Sequence, residues 1–567
     1  MTFNDLLESI GGVGPFQILH TFGLLLPICM AACHNFLQNF SAAMPSHHCQ
    51  LPTNISWTDR SNSTYGLNKS SLLVSFIPLD GNRNPDNCRR FASAQWRLLE
   101  SNFTVDNMTE WSTVPCTEGW TYDQTVFSST IITEWDLVCD RRQMNQVAQT
   151  IYMAGVMVGA IIFGSLSDRY GRRAVLIWCY LQMGVTGTCV AFLPSFGCYC
   201  AFRFLSGTAL SGILLNTLSL ILEWMPTKGR TVAGTLMGYS FTFGQMALAG
   251  VAYGIRDWRW LQFAVSAPYF IFFLLSWLLP ESARWLILHG KSQVALRNLQ
   301  RVAWVNRRMS AGSALTLEVV KSHMHAEIKT MRSSHSMVDL IRTPTMRRIS
   351  IILALIWFSM SFAYYGLGMD LQKFGFSIFL VQAFFGVIDI PAKLVGAATM
   401  SMIGRRCTES VSLILAGLMI IANLFVPHGM KTVRTVLSAL GKGCLASAFT
   451  CAYLYSGELY PTEIRQTGMG FVSMNARIGA MVAPIVLMAS EYASFVPPLI
   501  YGLAAVLAGC GVCFLAETRN QQLPDTIEAV ENSMKHKIFL EKPLNGEAIE
   551  LTEKEDDDMN ISLLTRI

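Results

Sequence analysis

Charged residues are missing from a series of long apolar stretches along the chain. Gln143–Ser167, Ala174–Phe202, Phe204–Leu222, Thr231–Ile255, Trp260–Pro280, Ile349–Met369, Ser410–Met430 and Tyr492–Ala516 contain no Asp, Glu, Lys or Arg. A helix crossing the hydrocarbon layer needs about 20 mostly apolar residues, because its backbone polar groups must be satisfied within the segment. Read at that length, the pattern predicts twelve spanning helices, near 14–36, 145–166, 174–193, 197–222, 230–254, 259–279, 347–367, 377–401, 409–427, 433–457, 466–488 and 494–516. Glycine and proline inside them do not argue against the assignment, since membrane helices tolerate both. The first stretch reads as a span and not as a cleavable leader. Its flank, Asn4–Ser9, carries Asp5 and Glu8 and no basic residue.

The connections supply an orientation. Asn39–Arg142 is polar and holds Cys49, Cys88, Cys116 and Cys139, with N-x-S/T sequons at Asn39, Asn54, Asn62, Asn68, Asn102 and Asn107. Six sequons in one loop point to a glycosylated extracellular segment, where four cysteines read as two disulfides with three possible connectivities. His47 and His48 stand beside Cys49, but a disulfide-bonded loop is the better reading there, and no metal is expected. The segment Glu281–Arg348 carries twelve Lys/Arg against four Asp/Glu, which places it in the cytoplasm by the positive-inside rule. Even numbers of spans then put both termini on that side. The chain divides into an N-terminus with the first span (1–36), an outer loop (37–142), the rest of an N-terminal half (143–279), a central cytoplasmic segment (280–346), a C-terminal half (347–516) and a cytoplasmic tail (517–567).

Composition agrees. Charged residues are 14% of the 567 and hydrophobic residues 51%, where a soluble protein has about 25% charged. The net charge of +5 is too small to suggest a nucleic-acid partner. The sequence has no G-x-x-x-x-G-K-[ST] phosphate loop, no G-x-S-x-G elbow and no H-E-x-x-H pair, so neither an enzyme nor a bound cofactor is expected.

The chain also repeats. Glu223-x-x-Pro226-Thr227-x-x-Arg230 recurs as Glu458-x-x-Pro461-Thr462-x-x-Arg465, and Gly171-Arg172-Arg173 is echoed by Gly404-Arg405-Arg406. Each pair follows the equivalent span of its half. This reads as a duplication that builds two six-helix halves about an axis along the membrane normal.

Gly164-Ser-Leu-Ser-Asp168-Arg169-Tyr-Gly171-Arg172-Arg173 resembles the loop motif of the major facilitator superfamily. Within that superfamily the chain resembles the organic anion transporters of the solute-carrier group, nearest the kidney-type and nasal-epithelium members. The resemblance rests on Asn35-Phe-Leu-Gln-Asn39-Phe-Ser-Ala-Ala, Ser129-Thr-Ile-Ile-Thr-Glu-Trp-Asp-Leu-Val-Cys139, Pro280-Glu-Ser-Ala-Arg-Trp285, Asp389-Ile-Pro-Ala-Lys393 and the Gly457–Gly470 segment. It implies an all-α membrane protein of twelve helices with the major facilitator fold. One departure is Ala516-Glu517-Thr518, where many members have Pro-Glu-Thr.

Charges inside spans are costly, about 2.5–3.5 kcal/mol each at mid-membrane, and usually mark a cavity or a partner. Lys393 and Arg477 are the candidates. Arg477 has no acid at i±3 or i±4, whereas Asp389 precedes Lys393 by four residues and is placed to pair with it. The resemblance implies that both cations are substrate-binding, in a cavity lined by Asn35, Tyr239, Trp357, Tyr364, Tyr365, Phe385, Phe449 and Tyr453. Such walls suit flat amphipathic anions: rings pack on aromatics while cations and hydroxyls hold the carboxylate. Asp168, Arg169 and Arg173 are read as gating residues, with Glu223–Arg230 and Glu458–Arg465 as a partner charge network. The expectation is a plasma-membrane secondary transporter that moves organic anions such as aromatic carboxylates by alternating access. The resemblance implies exchange for an intracellular dicarboxylate. The competing readings are an organic cation or zwitterion transporter of the same fold, and a multi-span receptor that moves nothing.

Overall fold

The protein is described from a computed structural model over residues 3–51, 69–79, 84–95, 112–320, 322, 338–369, 371–374, 376–427, 429–461, 463–519, 521, 524 and 526–532. Each predicted span coincides with helix. In the N-terminal half these are α1 (Pro15–Phe36), α2 (Gln143–Tyr170), α3 (Arg172–Phe192), α4 (Phe196–Trp224), α5 (Thr227–Gly254) and α6, which is built from Trp258–Ser266 and Pro268–Ser276. In the C-terminal half they are α7 (Pro344–Gly368), α8 (Ile378–Met402), α9 (Arg405–Phe425), α10 (Lys431–Leu459), α11 (Arg465–Met488) and α12 (Val496–Val512). Among the described residues, nine helices are long and apolar enough to cross a membrane, and α12 is a shorter apolar helix. The segment α6 is interrupted at Pro268, whose ring removes a backbone donor from the helical ladder. Helix α5 is as long as its neighbours but carries Lys228, Arg230 and many small polar residues.

The duplication is visible in the packing. Glycines 235 positions apart, Gly244 in α5 and Gly479 in α11, let two helix pairs close to backbone contact. A Cβ on Gly244 would fall 2.0 Å from the Cys29 carbonyl oxygen, and one on Gly479 would fall 2.3 Å from that of Phe358. Small residues at such crossings allow the close van der Waals packing that holds membrane helices together. Across the halves, α2 lies against α11 and α5 against α8.

The long loop between α1 and α2 carries two short antiparallel ribbons, β1 (His47–Cys49) with β4 (Trp120–Tyr122) and β2 (Arg89–Phe91) with β3 (Thr113–Pro115). Disulfides join Cys49 to Cys116 and Cys88 to Cys139. Asn54, Asn62, Asn68, Asn102 and Asn107 lie outside the described residues. Asn39 corrects the sequence reading. It belongs to a helical turn, Gln38–Ser41, directly after α1. Its Nδ2 donates to the Gly368 carbonyl at 2.8 Å and to Gln382 Oε1 at 3.3 Å. The nitrogen that would carry a glycan is therefore committed to the interior of the protein.

The central segment is a helical layer. Ala283–Leu288, Ser292–Val305 and Met309–Ser313 enclose an apolar cluster with the N-terminal helix Phe3–Ser9, built on Phe3, Leu7, Trp285, Leu299 and Val302. Asn306 pins this layer to α1: its Oδ1 accepts from Phe16 N at 2.9 Å, and its Nδ2 donates to Gln17 Oε1 at 3.0 Å.

Candidate functional site

Aromatic side chains from α7 and α10 meet at mid-depth. Trp357 and Tyr453 make an edge contact at 4.6 Å between centroids, and Tyr364 packs on Phe449 at 5.5 Å. Phe449 and Tyr453 share a face because they are four residues apart on one helix. Trp357 is held by its indole N–H, which donates to Ser456 Oγ at 2.9 Å. From the other half, Asn35 Nδ2 donates to Tyr365 OH at 2.8 Å, and Phe36 stacks on the Tyr365 ring. Phe385 differs from its expected place on the wall. It is fully buried, and its ring lies 5.4 Å from the Lys442 ammonium.

The cations are arranged differently from the sequence reading. Arg477, halfway along α11, is half-buried; its Nη1 donates to Ser473 Oγ at 2.7 Å and more weakly to the Ser473 carbonyl at 3.4 Å. Tyr365 and Tyr453 lie within electrostatic range of it, and no ion pair among the described residues includes it. Lys393 does not pair with Asp389. Its Nζ crosses to the other half, donating to the Gly238 carbonyl and to Thr242 Oγ1, both at 2.8 Å, with the Tyr239 ring 5.9 Å away.

Asp389 is taken instead by Lys442 of α10 at 2.9 Å, with the two side chains 1% and 0% exposed. Tyr364 OH donates to the same carboxylate at 3.2 Å, and Lys442 also reaches Gln245 Oε1 across the halves at 3.4 Å. An interior charge pair survives desolvation only with good geometry and further hydrogen bonds, and this one has both. Lys442 was missed, although an isolated charge within an apolar span was the signal used for Lys393 and Arg477. Its partner lies 53 residues away on another helix, which no local spacing reveals.

The corners between α2 and α3 and between α8 and α9 carry two matching charge networks. Gly171 and Gly404 adopt φ of 99° and 118°, a region suited to glycine. After each, a helix begins with two exposed backbone N–H groups, and a glutamate caps them. Glu281 accepts from Arg172 N at 3.1 Å and from Arg173 N at 3.1 Å. Glu517 accepts from Arg405 N at 2.8 Å and Arg406 N at 3.0 Å. Carboxylates at helix N-termini are favoured by those free N–H groups and by the helix dipole. Each first arginine then pairs with the motif glutamate of its own half: Arg172 with Glu223 at 3.2 Å, and Arg405 with Glu458 at 3.1 Å. Glu223 and Glu458 are thus held by these arginines, correcting the predicted pairing with Arg230 and Arg465. Arg230 reaches Asn4 Oδ1 at 3.1 Å, and Arg465 donates to the Tyr460 carbonyl at 3.3 Å. Asp168 is exposed and bonds Arg172 at 3.1 Å, Arg169 lies over Tyr170, and Arg173 Nη2 donates to the Trp277 carbonyl at 2.6 Å.

With this geometry in view, comparison with known proteins is decisive. Residues 134–529 match the family model of sugar (and other) transporters. Solute carrier family 22 member 20 of Mus musculus is 56% identical over 94% of the chain and 95% of its own length. Solute carrier family 22 member 6-A of Xenopus laevis is 53% identical over 94% and 95%.

The chain belongs to solute carrier family 22.

This is the solute-carrier group that the motifs resemble, and the carrier is a multi-pass membrane transporter, not an enzyme. Its fold is that of the major facilitators. The xylose transporter XylE from E. coli, in a partially occluded inward-open conformation, matches with a TM-score of 0.55 at 16% identity, over 68% of this chain and 90% of its own. An inward-open form of the same transporter matches with a TM-score of 0.54 at 17% identity, over 69% and 90%.

Glu281 and Glu517 were quoted from the sequence only as parts of longer motifs. Their equivalence as caps could have been found from their spacing of 236, close to that of the other repeats.

Proposed function

We propose that the carrier moves amphipathic organic anions across the plasma membrane by alternating access, in exchange for an intracellular dicarboxylate, with both termini in the cytoplasm. The observation that carries this reading is the balance of charge around the aromatic walls. Lys442 is neutralised by Asp389, while among the described residues Arg477 and Lys393 are held by neutral oxygens and by no acid. A half-buried arginine between Tyr365 and Tyr453 offers a planar fork to a carboxylate, and the rings beside it offer a surface for an aromatic body. In a medium less polar than water that attraction is poorly screened, and a cation would be repelled by the same charges.

The outer ends of the halves are tied together. Asn35–Tyr365 and Asn39–Gly368 cross between them, and Met44 and Gln372 exchange two hydrogen bonds of 3.1 Å. The two cytoplasmic networks, by contrast, each close within one half. This arrangement supports an inward-facing state, in which the outer contacts break for the site to open outward. Asp168, Arg169 and Arg173, with Glu223, Arg230, Glu458 and Arg465, then act on the equilibrium between the two states. Neutralising Asp168 or Arg169 should lower the maximal rate more than the apparent affinity; surface-expressed variants with the normal maximal rate would remove these two from the gate. The reading as a whole is tested by uptake of a labelled aromatic monocarboxylate into cells or proteoliposomes. Saturable uptake accelerated by preloaded dicarboxylate is expected, and uptake of organic cations in its place would overturn it.

A further inference from the structure

The N-terminal half contains an interior cation of its own, outside the aromatic site. Arg203 lies inside α4, about 10 Å from the outer end of that helix at 1.5 Å per residue, and is 1% exposed. An arginine stays protonated in any protein setting. Its guanidinium carbon sits 4.1 Å from the centroid of the Tyr152 ring, and Nη2 donates to Gln38 Oε1 at 3.5 Å. Gln38 is oriented for this, because its amide nitrogen donates to the Asn145 backbone oxygen and to Asn145 Oδ1, both at 2.8 Å. Nε and Nη1 have no hydrogen-bond partner, and no ion pair among the described residues includes Arg203.

The surroundings are polar and also incomplete. His34 lies within electrostatic range of Arg203 and is fully buried, with Nδ1 unpartnered. Gln149 Oε1 and Tyr152 OH, on the face of α2 beside α4, are likewise buried without partners. A charge withdrawn from water and left uncompensated costs several kcal/mol, so interior charges in membrane proteins pair or face a ligand. Lys442 obeys this rule through Asp389. Arg203 has no acidic side chain to play that part.

We propose that Arg203 seats a second anion in the N-terminal half, a small monovalent anionic group received by Nε and Nη1 behind the Tyr152 ring. A halide or the carboxylate of a small organic acid has this chemistry. The proposal does not rest on the transported substrate assigned above, because occupancy is read from stability and not from transport.

The test is thermal unfolding of the purified full-length carrier in nanodiscs, since an anion bound only by the folded state raises Tm. One arm exchanges methanesulfonate for chloride at constant ionic strength; the other adds benzoate in chloride-free medium. Each is run on the wild type, on Arg477→Ala, and on Arg203→Gln and Arg203→Lys made in the Arg477→Ala background, where benzoate at the aromatic site no longer contributes. The expected result is a rise in Tm with at least one anion that persists in Arg477→Ala, weakens when Arg203→Lys is added and disappears when Arg203→Gln is added. In Arg477→Ala, a rise with chloride alone assigns a halide, and a rise with benzoate assigns a carboxylate. A double variant with Arg203→Gln that responds to both anions like Arg477→Ala alone would overturn the proposal. So would loss of every response in Arg477→Ala, an arm that decides even if Arg203→Gln does not fold.

Discussion

The two halves of this carrier share a scaffold and differ in chemistry. At the corners after α2 and α8 they repeat one construction: a glycine at positive φ, two backbone N–H groups received by a glutamate, and an arginine paired with a second glutamate. In their interiors the likeness ends. The C-terminal half carries Lys393, Arg477 and the Asp389–Lys442 pair, and the N-terminal half carries Arg203 over the Tyr152 ring. A duplicated chain preserves what both halves need in order to turn a corner and pack. It is free to diverge where a substrate, which lacks the symmetry of the scaffold, has to be held.

The sharpest way to break that comparison is to disturb the interior pair. Lys442→Ala leaves a fully buried carboxylate without its cation, and should cost about 3–5 kcal/mol. Little protein would reach the surface. Asp389→Asn combined with Lys442→Met should recover much of that loss, because it removes both charges together. Surface abundance measured by biotinylation checks this, and a single variant as abundant as the wild type would contradict it.

A smaller effect should be shared by the halves. A Cβ on Gly171 would fall 2.3 Å from Glu281 Oε2, and one on Gly404 would fall 2.6 Å from Glu517 Oε2. With ψ of 154° and 165°, both backbones occupy a region that is nearly glycine-only, where another residue costs about 1–3 kcal/mol. Gly171→Ala and Gly404→Ala should therefore lower Tm to similar extents. A large loss at one position and none at the other would show that the two corners are not equivalent.

The smallest expected difference lies in the caps themselves. Burial pushes the Glu281 carboxyl above its usual range, with Glu223 adding to the effect, against the backbone N–H donors of Ser282, Arg173 and Arg172. Burial also raises Glu517, but four backbone N–H groups outweigh it and hold that carboxyl below its usual range. The ionised form of Glu517 is thus favoured by folding; this stabilisation is present above the unfolded carboxylate pKa and fades as pH falls through the folded one. For Glu281 the balance is reversed: folding favours the protonated form, and that contribution is lost as pH rises through the raised pKa. Glu517→Gln should accordingly lower Tm at neutral pH more than Glu281→Gln, and the gap should narrow in acid. Equal losses across the pH range would contradict this difference.

Much of the plan was legible in the sequence because it follows from local rules. Spans show as charge-free runs of the right length, and the four cysteines of the loop after the first span form the two disulfides expected of them. The duplication shows in the Glu-x-x-Pro-Thr-x-x-Arg repeat. Arg477 and Lys393 stand out as charges inside apolar spans, whereas the lining around them was implied by the family resemblance. What was missed depends on contacts between distant parts of the chain. Asp389 had an obvious candidate four residues away, yet Lys393 crosses to α5 and Lys442 takes the carboxylate. Asn39 matches a sequon, but its place at the end of α1 turns its amide inward to Gly368. Glu223 and Glu458 likewise meet arginines about fifty residues away in sequence, those after Gly171 and Gly404, and not the ones seven residues on.

The proposed transport mechanism stands or falls on Arg477, a half-buried cation in no ion pair among the described residues. The most direct measurement is uptake of a labelled aromatic monocarboxylate by Arg477→Ala, normalised to surface protein and run with and without preloaded dicarboxylate. The account predicts that uptake falls at least about tenfold, the equivalent of one lost charge-assisted contact of about 1.5 kcal/mol, and that acceleration by dicarboxylate disappears. Wild-type uptake, affinity and dicarboxylate response in that variant would contradict it, and would move the role of anion anchor in the aromatic site to Lys393.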